Sequence, residues 1–364
     1  MRLPRRTPAS LGLDARRLRL ARRHVEIGLG EGIYDAAVLA VARHGAMAMH
    51  EAFGTIEGHP TSRDALFDLA SLTKTFCATA MLRLAEDGVL SLSDTVADWV
   101  AEAARAELGC ATLRQLATHV SGLPAWKPLY DPTPGKEAML RAILETPLAN
   151  APGTVYEYSD LGYILLGEVD SRASGQPLED LIQSTVTGPI GADEVGYLPS
   201  LNAERLIAPT ANCPMRPGEV LRGVVHDANA HAYGGVAGHA GLFGDADGLA
   251  LLGSALAGDG FVLGKRLVGR PALRLARTNQ LTPEVGGHTI GWFCNPNPMC
   301  PFGDLAGPDA FGHTGFTGTM VVCEPSAGVV VVLLTNRVLN PADNNGIKRV
   351  RRQVVHAVAS AVRQ

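Results

Sequence analysis

Apolar and polar positions along the chain fall into two regimes. Near the N-terminus, Ala36 to Arg43 and Ala46 to Phe53 are β-rich runs joined at His44-Gly45, which predicts a hairpin. Near the C-terminus, Thr319 to Glu324 and Gly328 to Thr335 form a second such pair, with Pro325-Ser326-Ala327-Gly328 as a tight turn. Helical periodicity flanks both pairs. Asp14 is the expected N-cap of a helix reaching about Gly28, with Leu18, Ala21, Val25 and Ile27 as its apolar stripe, and Asn344 to Val362 reads as a final amphipathic helix. Between Leu90 and about Pro209 the pattern changes to short helices broken by Pro and Gly, with no clear strand pair. There Thr112 caps a helix through Leu113, Leu116 and Ala117, and Lys136 to Leu144, Asp160 to Ala173 and Leu178 to Val186 follow. The expected architecture is α/β (α+β). Residues 1–88 and 230–364 would build one central antiparallel sheet flanked by terminal helices, 89–229 a mostly helical insertion, and the active-site cleft would lie between them.

Composition narrows the function classes. The net charge is a mild −4 and no long like-charge block appears, so nucleic acid is not an expected partner. No stretch is long and apolar enough to span a membrane. The N-terminal stretch is basic, but Asp14, Arg16, Arg17 and Arg19 interrupt Leu11 to Leu20, so no signal-peptide core follows it. As it stands the sequence reads as cytoplasmic; a removed leader or a misplaced start would make it periplasmic or secreted. Cys77, Cys110, Cys213, Cys294, Cys300 and Cys323 are scattered without a Cys-x-x-Cys pair, which favours free thiols. Cys294 and Cys300 share a loop and could pair or bind metal, but without a matched second pair they fall short of a zinc site. No cofactor is implied, the expected partner is a small-molecule or peptide substrate, and oligomeric state is open.

The candidate chemistry begins at Asp68-Leu69-Ala70-Ser71-Leu72-Thr73-Lys74-Thr75. If a helix starts near Ser71, the i, i+3 spacing puts the Ser71 hydroxyl and the Lys74 amine on one face. The amine could then take or orient the hydroxyl proton, while the serine N–H lies at a helix N-terminus that favours negative charge. Taken alone, Ser-x-x-Lys is common by chance and a capped helix start explains it. A second stretch, Pro152 to Asp160, places Tyr158 in a turn just before a helix with Asp160 at or near its N-cap. A third, Phe311-Gly312-His313-Thr314-Gly315-Phe316-Thr317-Gly318, is a glycine-rich strand edge that would let a substrate backbone approach closely.

In this order, Ser-x-x-Lys, Tyr-x-Asp and His-Thr-Gly resemble the serine β-lactamase and penicillin-binding protein superfamily. The resemblance is to its class C-like branch, which includes D-alanyl-D-alanine carboxypeptidases and related esterases. It extends to Leu113-Arg114-Gln115-Leu116-Ala117-Thr118-His119-Val120-Ser121-Gly122-Leu123-Pro124, to Pro152–Gly167 and to Gly234–Leu249, covering roughly Tyr34 to Leu334. It implies that Ser71 is an acylated nucleophile, Lys74 its proton-handling partner and Tyr158 a tyrosine that shares proton transfer. By the same logic His313, Thr314 and Gly315 form the third box, and the N–H groups of Ser71 and Phe316 the oxyanion hole. A charged Lys74 would lower the Tyr158 pKa, making it a better base. The implied function is a serine hydrolase of an ester, amide or D-amino-acid peptide. The alternatives are a D,D-carboxypeptidase acting on cell-wall peptides, or a non-catalytic penicilloyl-binding or sensor module.

Two positions depart from the usual boxes. Asp160 replaces the common asparagine, so it accepts where an amide could donate, and its charge would hold Lys74 charged and shift proton transfer towards Tyr158. His313 replaces the common lysine and is mostly neutral near neutral pH, which disfavours a carboxylate-bearing substrate. Weak or no β-lactamase activity is therefore expected. His226, Asp227, Asn229, His231 and His239 form one further cluster. Their spacing could suit a metal, but a glycine-rich loop with hydrogen-bonding histidines, leading to a helix near Asp245, is the preferred reading. No metal site is assigned. His239 is retained as a cleft-bordering candidate, because its His-Ala-Gly-Leu-Phe context is similar to carboxypeptidase relatives.

Overall fold

A computed structural model describes residues 1–131, 135–201, 205–297, 299–340 and 344–363. Helix α1 (Ala15–Gly30) is capped by Asp14, whose carboxylate accepts from the N–H groups of Arg16 and Arg17. Strands β1 (Ala36–Arg43) and β2 (Ala46–Ile56) turn at His44 and Gly45, both with positive φ, as a two-residue hairpin loop requires. After the edge strand β3 (His59–Pro60), a 3₁₀ turn (Ala70–Leu72) leads into α2 (Thr73–Glu86), and Gly88 in the left-handed region follows it. The short α3 (Leu113–Ala117) carries the Thr112–Gln115 capping box, and α4 (Asp160–Ser174) and α5 (Ala246–Ala257) are the long interior helices. Strands β4 (Phe293–Cys294), β5 (Phe311–Thr314), β6 (Met320–Glu324) and β7 (Val329–Thr335) precede the last helix, α6 (Asn344–Ala359).

The central sheet has seven strands in the order β4-β5-β6-β7-β1-β2-β3, antiparallel throughout. Chain ends meet at its middle, where Ala37 pairs with Thr335 and Arg43 with Val329. Both faces are covered. Ala37, Leu39 and Val41 pack with Val331 and Leu333 against α1 and α6, while Val38 and Ala40 pack with Val332 and Leu334 towards α2 and α5. That two-sided burial explains why these strands read as unbroken apolar runs instead of alternating ones. Each fully buried Val or Leu contributes about 1.5–3 kcal/mol, so the sheet centre is a rigid base for the turn between β5 and β6.

Two expectations change. The stretch just past Pro209, inside the segment read as mostly helical, contains a two-stranded hairpin of Thr210–Cys213 and Arg216–Leu221. Its positive-φ Asn212 breaks the register and hides the pattern. The segment from Leu178 is a helix only to Ile182, followed by a π turn at Gln183–Thr187. All six cysteines, Cys294 and Cys300 included, are free thiols. Among the described residues no helix is long and apolar enough to cross a membrane.

Candidate active site

Ser71 sits in the 3₁₀ turn just before α2, and the turn is tightly built. Ala70 has a φ of 47°, a left-handed conformation that a non-glycine residue adopts only when its surroundings impose it. The Asp68 carboxylate imposes it, accepting the Ala70 N–H at 2.8 Å and the His226 N–H at 2.7 Å. Thr317 donates its hydroxyl to the Asp68 carbonyl at 2.7 Å, and Thr319 donates to the Leu69 carbonyl at 3.0 Å. The Ser71 turn is thereby stitched to the β5–β6 turn. Burial pushes the Asp68 carboxyl up to about 6, against the pull of its two N–H donors.

Lys74 lies in the first turn of α2 and is fully buried. Its Nζ donates to Ser71 Oγ at 2.9 Å and to the His239 carbonyl at 3.1 Å, and pairs with Asp160 Oδ1 at 2.7 Å. Burial favours the neutral amine, but the charge of Asp160, seconded by Tyr158, overrides it, and the Lys74 pKa lies above its ordinary value. Lys74 is therefore a cation that donates to Ser71.

Tyr158 is enclosed, with the Lys74 Nζ 5.0 Å from its ring centroid and hydrogen bonds to Ser71 and Lys74. The expectation that Lys74 lowers its pKa is corrected: burial raises it more than Lys74 lowers it, and Asp160 adds to the rise. Asp160 is not the cap of α4. Ser159 is, accepting the Gly162 N–H at 3.2 Å, which leaves the Asp160 side chain free to turn to Lys74.

The third stretch lies on β5 and the turn after it. Thr314, Gly315 and Phe316 line the cleft, whereas His313 is fully buried behind Tyr158, its ring stacked 4.3 Å from Phe293 and 5.9 Å from Tyr158. Its Nδ1 faces the Thr314 carbonyl at 2.9 Å, and burial holds the imidazole well below the usual histidine range, hence neutral. A Cβ at Gly315 would stand 2.1 Å from Thr319 Oγ1 and 2.4 Å from the Leu69 carbonyl, so only glycine fits. Arg351 of α6, nearly buried, donates to the carbonyls of Gly315 at 2.7 Å and Thr319 at 2.9 Å. In a trans peptide the carbonyl and the next N–H point to opposite sides, so Arg351 turns the Phe316 N–H away from α6.

Ser71, Tyr158 and Asp160 open on a cavity of about 560 Å³. Its rim carries Trp126 at 45% and Phe316 at 59% exposure, while Trp292, at 1%, belongs to the core. Asp227 also lines it, capping the helix Ala228–Ala232 and meeting His239 Nε2 at 2.8 Å. Attraction to and hydrogen bonding from His239 outweigh burial and hold the Asp227 carboxyl below the usual carboxylate range. His239 itself is buried and reaches the site through its carbonyl on Lys74. Among the described residues no three His, Cys, Asp or Glu side chains converge as metal ligands, and His226 and His231 turn to the Ala211 carbonyl and Arg216 instead. Sequence reasoning gave no role to Asp68, His119 or Arg351. The first two lie in stretches that carried the resemblance; Arg351 had no signal beyond a basic residue on an amphipathic helix.

The family model described as Beta-lactamase matches residues 21–356. A protein of Escherichia coli (strain K12), provisionally named D-alanyl-D-alanine carboxypeptidase, is 29% identical over 375 residues, covering 92% of this chain and 86% of that one. Among solved structures, EstCE1, a hydrolase with promiscuous acyltransferase activity, superposes with a TM-score of 0.78 at 23% identity, covering 94% of this chain and 99% of its own. A family VIII carboxylesterase does so with a TM-score of 0.74 at 22% identity, covering 96% and 99%.

Proposed function

The chain belongs to the beta-lactamase family, and from that premise we propose that it is a serine hydrolase working through an acyl-enzyme on Ser71. The observation that carries this reading is the contact of the buried Lys74 Nζ with Ser71 Oγ at 2.9 Å, beside Tyr158. Ser71 Oγ attacks the carbonyl carbon of the substrate and its proton passes to Tyr158 in its phenolate form, a minority species at neutral pH because the Tyr158 pKa is raised, held next to the Lys74 cation. The oxyanion is held by the N–H groups of Ser71 and Phe316, the latter aimed by Arg351. Collapse expels the leaving alkoxide or amine, which takes the proton from Tyr158. Water then attacks the acyl carbon, loses its proton to Tyr158, and Ser71 departs with that proton restored.

The substrate class we favour is a small ester, over a peptide or a β-lactam. Asp160 offers no donor to a substrate amide carbonyl, and the buried neutral His313 offers no cation to a carboxylate. Trp126 and Phe316 at the rim suit an apolar acyl or alcohol group. The division into 1–88 with 230–364 and 89–229 belongs to the same reading: Ser71, Lys74 and Thr314 would come from one part, Tyr158 and Asp160 from the other. Hydrolysis of p-nitrophenyl butyrate tests it. Ser71→Ala should abolish turnover with the circular dichroism spectrum unchanged, and equal activity in the two proteins would sink the assignment.

A further inference from the structure

The stretch from His119 to Pro124 carries part of the family resemblance, yet the reaction described above gives it no task. In the structure it forms a cradle for the tyrosine stretch. Gly153 donates its N–H to the Val120 carbonyl at 2.6 Å, Ser159 donates its hydroxyl to the Pro124 carbonyl at 2.8 Å, and Asp160 donates its N–H to the Ala125 carbonyl at 2.9 Å. His119 holds the centre of this cradle at three consecutive residues. Its carbonyl accepts the Glu157 N–H at 2.9 Å, its ring lies 4.4 Å from the Tyr158 ring at a tilt of 38°, and its Nδ1 accepts the Ser159 N–H at 3.0 Å.

Such convergence needs an unusual backbone. His119 has a φ of 59°, in the left-handed region, directly after Thr118, the C-cap of α3. A non-glycine residue there costs about 1–3 kcal/mol unless its surroundings repay it. The chemistry of the ring is equally constrained. Because Nδ1 accepts from Ser159, the ring proton is on Nε2, and a second proton on Nδ1 would face the Ser159 N–H. Burial, followed by His288, Lys74 and His313, keeps the imidazole well below the usual histidine range. A neutral ring in van der Waals contact cannot donate or take the reacting proton from Tyr158; it can only fix where Tyr158 stands.

We propose that His119 is the positioning residue for Tyr158, setting both the ring and the peptide that follows it so that the phenol oxygen meets Ser71 and Lys74. The proposal rests on the reading of Tyr158 as the proton-transfer group. Misplacing a reacting group by about 1 Å can cost about 100-fold in rate. The loss should fall on kcat, because His119 is buried behind Tyr158, away from the substrate.

The test compares His119→Asn, His119→Gln and His119→Gly with the wild-type protein on p-nitrophenyl butyrate, with Tyr158→Phe alongside. Asparagine places its Oδ1 where Nδ1 stands and tolerates a left-handed φ, whereas glutamine carries its carbonyl one bond further out. Glycine keeps the backbone relaxed but removes ring and acceptor. Expected is a fall in kcat of about 100-fold for glycine and glutamine with KM little changed, and recovery of most of it by asparagine. Circular dichroism and thermal melts confirm that each variant is folded. If the glycine variant fails to fold, the asparagine–glutamine comparison still decides. The proposal is overturned if asparagine and glutamine lose kcat equally, if the loss is in KM, or if glycine keeps the wild-type kcat. If Tyr158→Phe itself remains active, the proton-transfer reading fails and the proposal with it; inactive Tyr158→Phe beside active His119→Gly removes the proposal alone.

Discussion

Asp160 is the residue whose replacement tells most about how the proton moves. It stands 2.7 Å from the Lys74 ammonium, with Lys74 fully buried and the Asp160 side chain 20% exposed. At an effective dielectric of about 20, two charges at that distance attract by about 6 kcal/mol, part of which offsets their desolvation. Removing one partner of a buried pair costs about 3–5 kcal/mol of stability. The Lys74 pKa is raised, so this contribution is complete at neutral pH and is lost only as pH climbs through the raised value. Asp160→Asn should therefore be less stable throughout the physiological range. Its catalytic signature has the opposite sense. The Asp160 charge raises the Tyr158 pKa, so the variant forms the phenolate more readily. The assay is kcat/KM for a p-nitrophenyl ester against pH, corrected for spontaneous hydrolysis. Activity should rise towards alkaline pH in the wild-type protein, and the rise should begin at a lower pH in Asp160→Asn. A rising limb that stays in place, or moves up, would refute the assignment of Tyr158 as the group whose ionisation limits the rate.

Further expectations concern the frame around Ser71. Asp68 accepts from two N–H groups, and a proton on its carboxyl would oppose one of them, so kcat should fall as pH drops through about 6. Because burial raises this pKa, Asp68 costs stability as pH rises towards about 6, so the acid loss of activity should come without a loss of melting temperature from this group. Arg351→Met removes the single terminal nitrogen, Nη2, that donates to both carbonyls, and loosening the Phe316 N–H should lower kcat by about 10²–10³ with acylation slowed in stopped-flow traces. Trp126→Ala should raise KM more for butyryl than for acetyl esters; the difference cannot exceed about 0.8 kcal/mol per methylene, and equal KM changes would place Trp126 outside the acyl path.

Much of this site was legible in the chain, for reasons that differ by residue. The spacing of Ser71 and Lys74 predicts one helical face, and the structure closes that contact at 2.9 Å. The strand pairs and terminal helices announced themselves because burial on both sheet faces demands uninterrupted Val, Leu and Ala. What stayed hidden were balances and long-range contacts. Whether Lys74 lowers or burial raises the Tyr158 pKa depends on enclosure by residues far apart in sequence, and burial wins. Capping of α4 falls to Ser159 while the Asp160 carboxylate pairs with Lys74, a partner far off in sequence. Asp68 and His119 carry ordinary residue types whose role appears only when Ala70 and His119 are seen in left-handed conformations. Arg351, 280 residues beyond Ser71, meets Gly315 only because the last helix lies against the sheet.

The central claim, covalent catalysis at Ser71, is tested most directly by intact mass spectrometry after rapid mixing with an activated ester and, separately, with penicillin. The account predicts a transient mass increase of one acyl group with the ester, coincident with a burst of released alcohol. It predicts little adduct with penicillin and none of either on Ser71→Ala. An undiminished adduct on Ser71→Ala, or ester turnover by the wild-type protein that never passes through an acylated species even when deacylation is slowed, would contradict it.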